Sequence, residues 1–503
     1  MSETASLPWY RQLTGYHWFV FTIASAAWFF DCLDQRLFSM SRIDALKTLA
    51  PEGTPIGEVQ AMGKHVTAWF LVGWGIGGVV FGALGDRYGR ARMLSITVLI
   101  YSICTGMNYF SESTFHYTLF RLLTGVGIGG VFGLAVALIA ETVPDAARVQ
   151  ALGWLQILST GGNVTAGLCY EQVAKLEAAG AIEAGQGWRW LFVIGALPAL
   201  LVIFIYGKLK EPEPWLRAKE AGTLPKGAII APYANLLKEA KWRKNLLVGT
   251  IIASAGVVGL WAIGEYAIDL QSIIYNEHYQ TEILAEPAMQ EKIEAIAAED
   301  DQWFAQLVRA KEADRTEQLA ARADADEVRS VLKEIDGQVA ARSKKTKSGV
   351  YIVQMLGAAA GMWLFTKFAM ATGRRMAFAV GFAAALVITV YAYWTMTTPA
   401  QAYVLMPLMY AAQLGLFAGF AIYLPELFPS RLRSTGTSFC YNLGRFAAAG
   451  GSLFSAQLAT GLYGSHGSPG MERYSAITMC VIFLAGLAVL PFAPETKDKP
   501  LPE

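Results

Sequence analysis

Residues 65–111 read HVTAWFLVGWGIGGVVFGALGDRYGRARMLSITVLIYSICTGMNYFS. Two apolar runs, 65–85 and 93–111, flank a short turn that carries Asp86, Arg87, Arg90 and Arg92. Crossing the hydrocarbon of a bilayer takes about 20 predominantly apolar residues in a helix. A backbone in lipid must also satisfy its own N–H and C=O groups, which a helix does within one segment. The stretch therefore predicts two spanning helices joined by a charged turn at the water surface. Its three arginines put the turn on the cytoplasmic side, where short basic loops are retained.

The pattern extends in both directions. Further apolar runs lie near 17–38, 118–141, 150–171, 189–207, 245–270, 349–370, 376–398, 401–425, 435–460 and 474–492, so twelve spans are expected. The fold class expected is an all-α membrane protein. Over 503 residues the chain is 54% hydrophobic and 16% charged, where a soluble domain carries about 25% charge. Lys+Arg 41 against Asp+Glu 40 leaves a net charge of +1 and no basic field for nucleic acid. An even number of spans puts both termini on one side. Arg148, Arg374, Arg375, Arg431, Arg433 and the Lys-rich link 208–244 all follow even-numbered spans, whereas 112–117 and 399–401 hold no Lys or Arg. The expectation is a multi-pass protein of the plasma or inner membrane with cytoplasmic termini.

Several chemistries lack their residues. The 5 cysteines and 5 histidines are dispersed, so neither a disulfide framework nor a metal site is expected. No GxxxxGK[ST] motif or nucleophile elbow occurs, and no cofactor or enzymatic activity is expected. Gly125, Gly127, Gly129 and Gly130 lie inside an apolar span with no preceding strand, which reads as small-residue helix packing.

An internal repeat organises the chain. Adding about 284 carries Gly89-Arg90 onto Gly373-Arg374, Arg189 onto Arg473 and Glu211 onto Glu495. The expected units are an N-terminal six-helix half (1–207), a linker (208–244), the first helix of the second half (245–275) and its other five helices (348–503). Between the last two lies 276–347, a charged, Ala/Glu-rich stretch with apolar residues at helical spacing. It reads as an inserted amphipathic segment on the non-cytoplasmic side, either a solvated cap or a docking surface for a protein partner.

Charges deep in a span cost roughly 2.5–3.5 kcal/mol each and usually face a cavity or one another. Asp31 and Asp34 lie inside the first span at i, i+3 spacing, where like charge raises one carboxyl and makes a proton carrier. Arg121 enters the fourth span at similar depth and needs a carboxylate partner; a pair that breaks on protonation would be a switch. Glu265 and Asp269 share a face of span seven, and Arg445 sits near the middle of span eleven with Asn442 and Tyr441. Arg445 is the candidate for an anionic substrate group. Gln156, Gln354, Gln413, Trp261, Trp28, Asn163 and Trp363 are candidates to line the same cavity.

Gly82-Ala83-Leu84-Gly85-Asp86-Arg87-Tyr88-Gly89-Arg90-Ala91-Arg92 resembles the major facilitator superfamily signature G-x-L-x-D-R-x-G-R-[RK]. In the second half Gly373-Arg374-Arg375 keeps the basic turn, with Met370 in the acidic position. Pro212-Glu213-Pro214 and Pro425-Glu426-Leu427-Phe428-Pro429 look like the sugar-porter and organic-ion branches. Asp31-x-x-Asp34 is similar to the D-G-[YF]-D of aromatic-acid:proton symporters, which implies proton coupling at Asp31, Asp34 and Arg121. The resemblance implies a secondary transporter moving a small organic solute, read as an anion, by alternating access with protons. A cytoplasmic gate is expected from Asp86, Arg87, Arg90, Glu141, Arg148, Arg374, Glu426 and Arg433. Asp86 would accept N–H groups at a helix start, and Arg90 would reach Glu141. Gln156 is similar to the fifth-span Gln of sugar porters, which leaves a sugar or polyol porter as one alternative. A non-transporting sensor built on the inserted segment is another.

Overall fold

The computed structural model describes residues 8–502 apart from 52–53, 55, 184, 201, 203–207, 226–229, 298–300, 310–314, 316–317 and 320–324. Regular structure among the described residues is helical throughout. The first half comprises α1 (Gly15–Leu49), α2 (Ile56–Tyr88), α3 (Arg90–Met107), α4 (Thr114–Thr142), α5 (Asp145–Ala178) and α6 (Gly187–Ala196). Two short helices, α7 (Glu213–Glu220) and α8 (Ala231–Lys238), occupy the link. The second half opens with α9 (Ala240–Val258), which passes through a π-helical turn, Gly259–Gly264, into α10 (Glu265–Leu284). After α11 (Pro287–Ala297) and α12 (Asp301–Arg309) come α13 (Ala325–Thr372), α14 (Arg374–Thr395), α15 (Pro399–Glu426), α16 (Arg433–Gln457), α17 (Gly470–Met479) and α18 (Ile482–Val489).

Local chemistry sets the ends. Thr14 and His17 form a capping box on α1, as Thr398 and Gln401 do on α15. Gly89 (φ 110°) and Gly373 (φ 103°) break the chain before α3 and α14 in backbone conformations that a Cβ would strain.

Eight helical stretches are long and apolar enough to cross a membrane: Met62–Tyr88, Arg90–Phe110, Thr114–Thr142, Ala240–Gly264, Ala325–Thr372, Arg374–Thr395, Pro399–Glu426 and Gly470–Phe492. The remaining expected runs, 17–38, 150–171, 189–207 and 435–460, do not meet that measure. α1, α5 and α16 are helical but carry buried polar side chains, among them Gln35, Gln156, Ser159, Thr437 and Asn442. The run 189–207 lies partly outside the described residues. Apolar side chains such as Ile103 (50% exposed) and Val387 (65%) project from the outer helix faces, a coat that suits lipid.

α2 and α4 touch backbone to backbone. A Cβ on Gly77 would lie 1.9 Å from the Val126 carbonyl oxygen, and one on Gly129 would lie 2.1 Å from that of Trp74. Gly357 and Gly361, 284 positions after Gly73 and Gly77, let α13 approach α15 in the same way, with the Pro407 and Ala411 carbonyls 2.4 and 2.1 Å from the missing Cβ atoms. The halves meet where α2 packs on α16 and α5 packs on α13. One apolar core runs through both.

A second apolar cluster, including Ile293, Phe304, Leu307, Val328 and Ile335, lies apart from that core and joins α11, α12 and the start of α13 into a cap. Ser343 donates to Asn276 at 2.9 Å, and Arg342 pairs with Glu282 at 3.2 Å, tying α13 to α10 beneath it.

Candidate functional site

A cavity of about 120 Å³ lies between the halves. From α1 it takes Trp28, Cys32, Gln35, Arg36 and Ser39, a stripe at i, i+4, i+7, i+8 and i+11 that marks one helix face. Gln156, Ser159 and Asn163 come from α5. Across the interface stand Tyr351 and Gln354 of α13 and Tyr441 and Arg445 of α16. The π-turn swings Leu260 and Trp261 into the wall.

Arg445 is 2% exposed, and its Nε and Nη1 have no hydrogen-bond partner. Its guanidinium lies 3.2 Å from the ring centroid of Trp74, 4.9 Å from that of Tyr441 and 5.9 Å from that of Trp261. Aromatic faces attract a cation but supply no acceptor in the guanidinium plane. The site is therefore cationic and has N–H donors to spare. The side chains of Glu265 and Asp269 lie outside the described residues.

Asp31 and Asp34 are both fully buried, but they go separate ways. Asp34 turns into the first half, where Arg121 lies 3.3 Å away and the Thr105 hydroxyl donates at 2.9 Å. Asn108 accepts from Arg121 at 3.3 Å, and the Phe192 ring lies 4.5 Å from the guanidinium. Asp31 accepts a 2.9 Å hydrogen bond from Gln35, while its other oxygen has no partner. Arg445 acts on it electrostatically from across the interface. Gln35 thus joins the Asp31 carboxylate to the cavity wall.

At one end of the bundle the halves are locked together. Asp86 accepts the Ser434 and Thr435 backbone N–H groups, at 3.1 and 2.8 Å, at the start of α16, where the helix dipole favours a negative charge. Arg90 lies 3.0 Å from Asp86 and 3.1 Å from Glu141, and it also donates to the Ser430 carbonyl. Glu141 of α4 accepts from Arg433 and, at 3.0 Å, from the Ser430 hydroxyl of the second half. In the second half Arg374 grips Glu426 through two bonds, at 2.8 and 3.1 Å. Arg148 turns back on its own half, donating to the Ala140 carbonyl and to Asp145. Arg87 lies half-buried against the Tyr88 ring, 4.9 Å from its centroid.

The repeat extends to individual bonds. Glu211 accepts from the Ala91 and Arg92 N–H groups at the start of α3, and Glu495 accepts from those of Arg374 and Arg375 at the start of α14. Arg189 donates to the Tyr109 carbonyl, and Arg473 donates to that of Tyr393 at 2.8 Å. Burial would raise the Glu495 carboxyl, but N–H groups of Arg374, Lys497, Arg375 and Thr496 together hold it below its ordinary value.

Gln156, Gln354, Trp261, Tyr441 and Arg445 line the cavity, as do Trp28 and Asn163. Gln413 instead points to Thr389, donating at 3.0 Å. The Asn442 amide nitrogen donates to the Ser438 and Gly129 carbonyls, at 2.8 and 3.3 Å, on the face of α16 that meets α2 and α4. Trp363 is 45% exposed on the outer surface. Both Gln156 groups are engaged: its oxygen accepts from the Trp28 indole and its nitrogen donates to the Phe417 carbonyl at 3.1 Å. Sequence reasoning passed over Gln35, Arg36 and Tyr351. The 28, 32, 35, 36, 39 periodicity was the available signal for the first two.

The family model described as Sugar (and other) transporter matches residues 13–226 and 338–503, and so skips most of the cap. A Haemophilus influenzae protein named for metabolite transport is 25% identical over 456 residues, 88% of each chain. A Cupriavidus pinatubonensis protein named for 4-methylmuconolactone transport is 24% identical over 443 residues, 88% of this chain and 84% of that one. The proton:xylose symporter XylE, solved with 6-bromo-6-deoxy-D-glucose, superposes with a TM-score of 0.61 at 17% identity, covering 97% of this chain and 98% of that one. Helices that reciprocate across a 284-residue repeat, the Asp86–Arg90 turn that locks the two halves and a family match over most of the length lead to one identification: the chain belongs to the Sugar (and other) transporter family, the integral membrane transporters of the major facilitator superfamily.

Proposed function

We propose that this transporter carries a small organic anion together with protons, and that the halves rock about the cavity to expose it to one side at a time. The observation that carries the reading is Arg445, buried in the cavity wall with two guanidinium nitrogens unpaired. A carboxylate can take two parallel N–H bonds from such a fork, a strong contact in a low-dielectric site. Proton coupling rests on Asp31. Ionised, it competes for the field of Arg445; protonated, it leaves the guanidinium to the substrate. Anion and proton then favour each other's binding, as linkage requires. Asp34 and Arg121 hold α1 against α3 and α4, so the Asp31 carboxylate stays in place.

The contacts among Asp86, Arg90, Glu141, Arg433 and the start of α16 form the cytoplasmic gate, with Arg374–Glu426, Arg148 and Arg87 at the same level. Rocking the halves apart must break them. In this reading the chain crosses the membrane twelve times, both termini and α7–α8 are cytoplasmic, and the cap stands on the opposite face. The relative named for 4-methylmuconolactone transport supports a small organic solute. The engagement of Gln156 on both sides leaves that side chain fewer hydrogen bonds to offer a sugar.

The test uses purified protein in proteoliposomes and labelled benzoate, adipate and xylose. Carboxylate uptake should rise with an inward proton gradient. Asp31→Asn should lose gradient-driven accumulation while keeping exchange. Uptake of xylose alone would overturn the anion, and gradient-independent accumulation would overturn the coupling.

A further inference from the structure

The cavity wall holds a second cation. Arg36 lines it from α1, its Nε is buried without a hydrogen-bond partner, and it makes no salt bridge among the described residues. Its guanidinium lies 4.2 Å from the ring centroid of Tyr351 on α13, so the contact crosses from one half to the other. No carboxylate is among the described residues that line the cavity. Two guanidinium groups on opposite halves thus face the same space, and neither makes an ion pair with a described residue of the cavity wall.

Their spacing along the bundle is set by α1. Trp28 stands beside Tyr441, their rings 6.4 Å apart, and Arg445 is one turn of α16 from Tyr441. Arg36 is eight positions after Trp28 on α1, about 12 Å at 1.5 Å per residue. Guanidinium groups at the ends of flexible stems can close part of that distance from either end. Apolar and aromatic side chains, among them Trp261, Met355 and Phe417, line the same cavity. A single carboxylate pairs with only one of the two cations, whereas a dianion of matching length pairs with both.

We propose that Arg36 is a second substrate-binding residue and that the solute is a dianion, with one carboxylate on Arg445 and the other on Arg36. This rests on the organic-anion reading above and narrows it to dicarboxylates. Because Arg36 belongs to one half and Arg445 to the other, a dianion ties the halves across the cavity, and a monoanion does not.

Binding of paired probes to the purified full-length protein tests this: terephthalate against benzoate, and adipate against hexanoate. The wild type should bind the dicarboxylate of each pair at least tenfold more tightly. Arg36→Gln should erase that preference and leave monocarboxylate affinity within about twofold, and Arg36→Lys should keep part of it. Arg445→Gln should weaken both members of each pair. Wild type that favours monocarboxylates, or an Arg36→Gln variant that weakens both members equally or neither, overturns the dianion and leaves the anion reading standing. Binding of xylose with no carboxylate bound overturns both. Thermal unfolding of each variant, compared with wild type, separates lost affinity from lost fold.

Discussion

The Asp86 carboxylate in α2 accepts the Thr435 backbone N–H at 2.8 Å, and so one half of the protein caps a helix of the other. The bond joins residues 349 apart in sequence and is fully buried. Asp86→Asn keeps the shape and removes the charge that the helix start and Arg90 both use. The state closed at this end should lose about 1–3 kcal/mol. Distances between spin labels on α3 and α16 should shift to a longer population, and transport should slow by roughly tenfold.

Asp34 and Arg121 form a buried ion pair, and breaking one partner leaves the other charge uncompensated. Asp34→Asn or Arg121→Gln should each cost about 3–5 kcal/mol. The double variant should cost less than the sum, because neither charge is then stranded. Thermal unfolding in detergent measures all three, and additive losses would mean the pair is not coupled.

At Gly129 a methyl group would collide with the Trp74 carbonyl oxygen, a backbone atom that cannot move aside. Gly129→Ala should force α4 away from α2 at a cost of about 1–3 kcal/mol. Gly450, which has open space around its Cβ position, is the control. Gly450→Ala, inside the same kind of helix but without the clash, should hold or slightly raise the unfolding temperature.

The Glu495 carboxyl titrates below its ordinary value because four N–H groups favour the charged form. A depressed folded value contributes stability above the unfolded value of about 4.3 and loses it as pH falls through the folded value. The difference in unfolding temperature between wild type and Glu495→Gln should be present at pH 6 and shrink below about pH 4.3. A constant difference down to pH 3 would refute the charge-based account.

Replacing 287–332 with a short flexible loop should leave uptake within about twofold of wild type, since the cap's apolar cluster is separate from the main core. Loss of transport with the bundle still folded would place the cap inside the cycle.

The sequence made the helices legible because hydrocarbon permits so few alternatives, and the 284-residue offset was legible because Gly89, Arg189 and Glu211 do backbone jobs that few residues can do. What it concealed was direction. The i, i+3 spacing of Asp31 and Asp34 suggested a shared face, yet the 60° between them is enough to send Asp34 into the α3–α4 interior and leave Asp31 beside Gln35. Gln413 and Asn442 looked like cavity residues for their polarity alone, and it was neighbouring carbonyl and hydroxyl groups in the tertiary fold that claimed them. The span count by apolarity came up short at α1, α5 and α16 for a related reason: helices that build a polar interior give up the apolar character by which spans are recognised.

α13 runs without a break from the cap at Ala325 to the Gly373 turn at Thr372. At 48 residues it is about 70 Å of continuous rod. Any tilt of its membrane segment is geared up at the far end, so a fluorophore placed there would sweep a wide arc each time the carrier turns over. The extra domain gives an experimenter a pointer, attached by nature, to the carrier's otherwise hidden stroke.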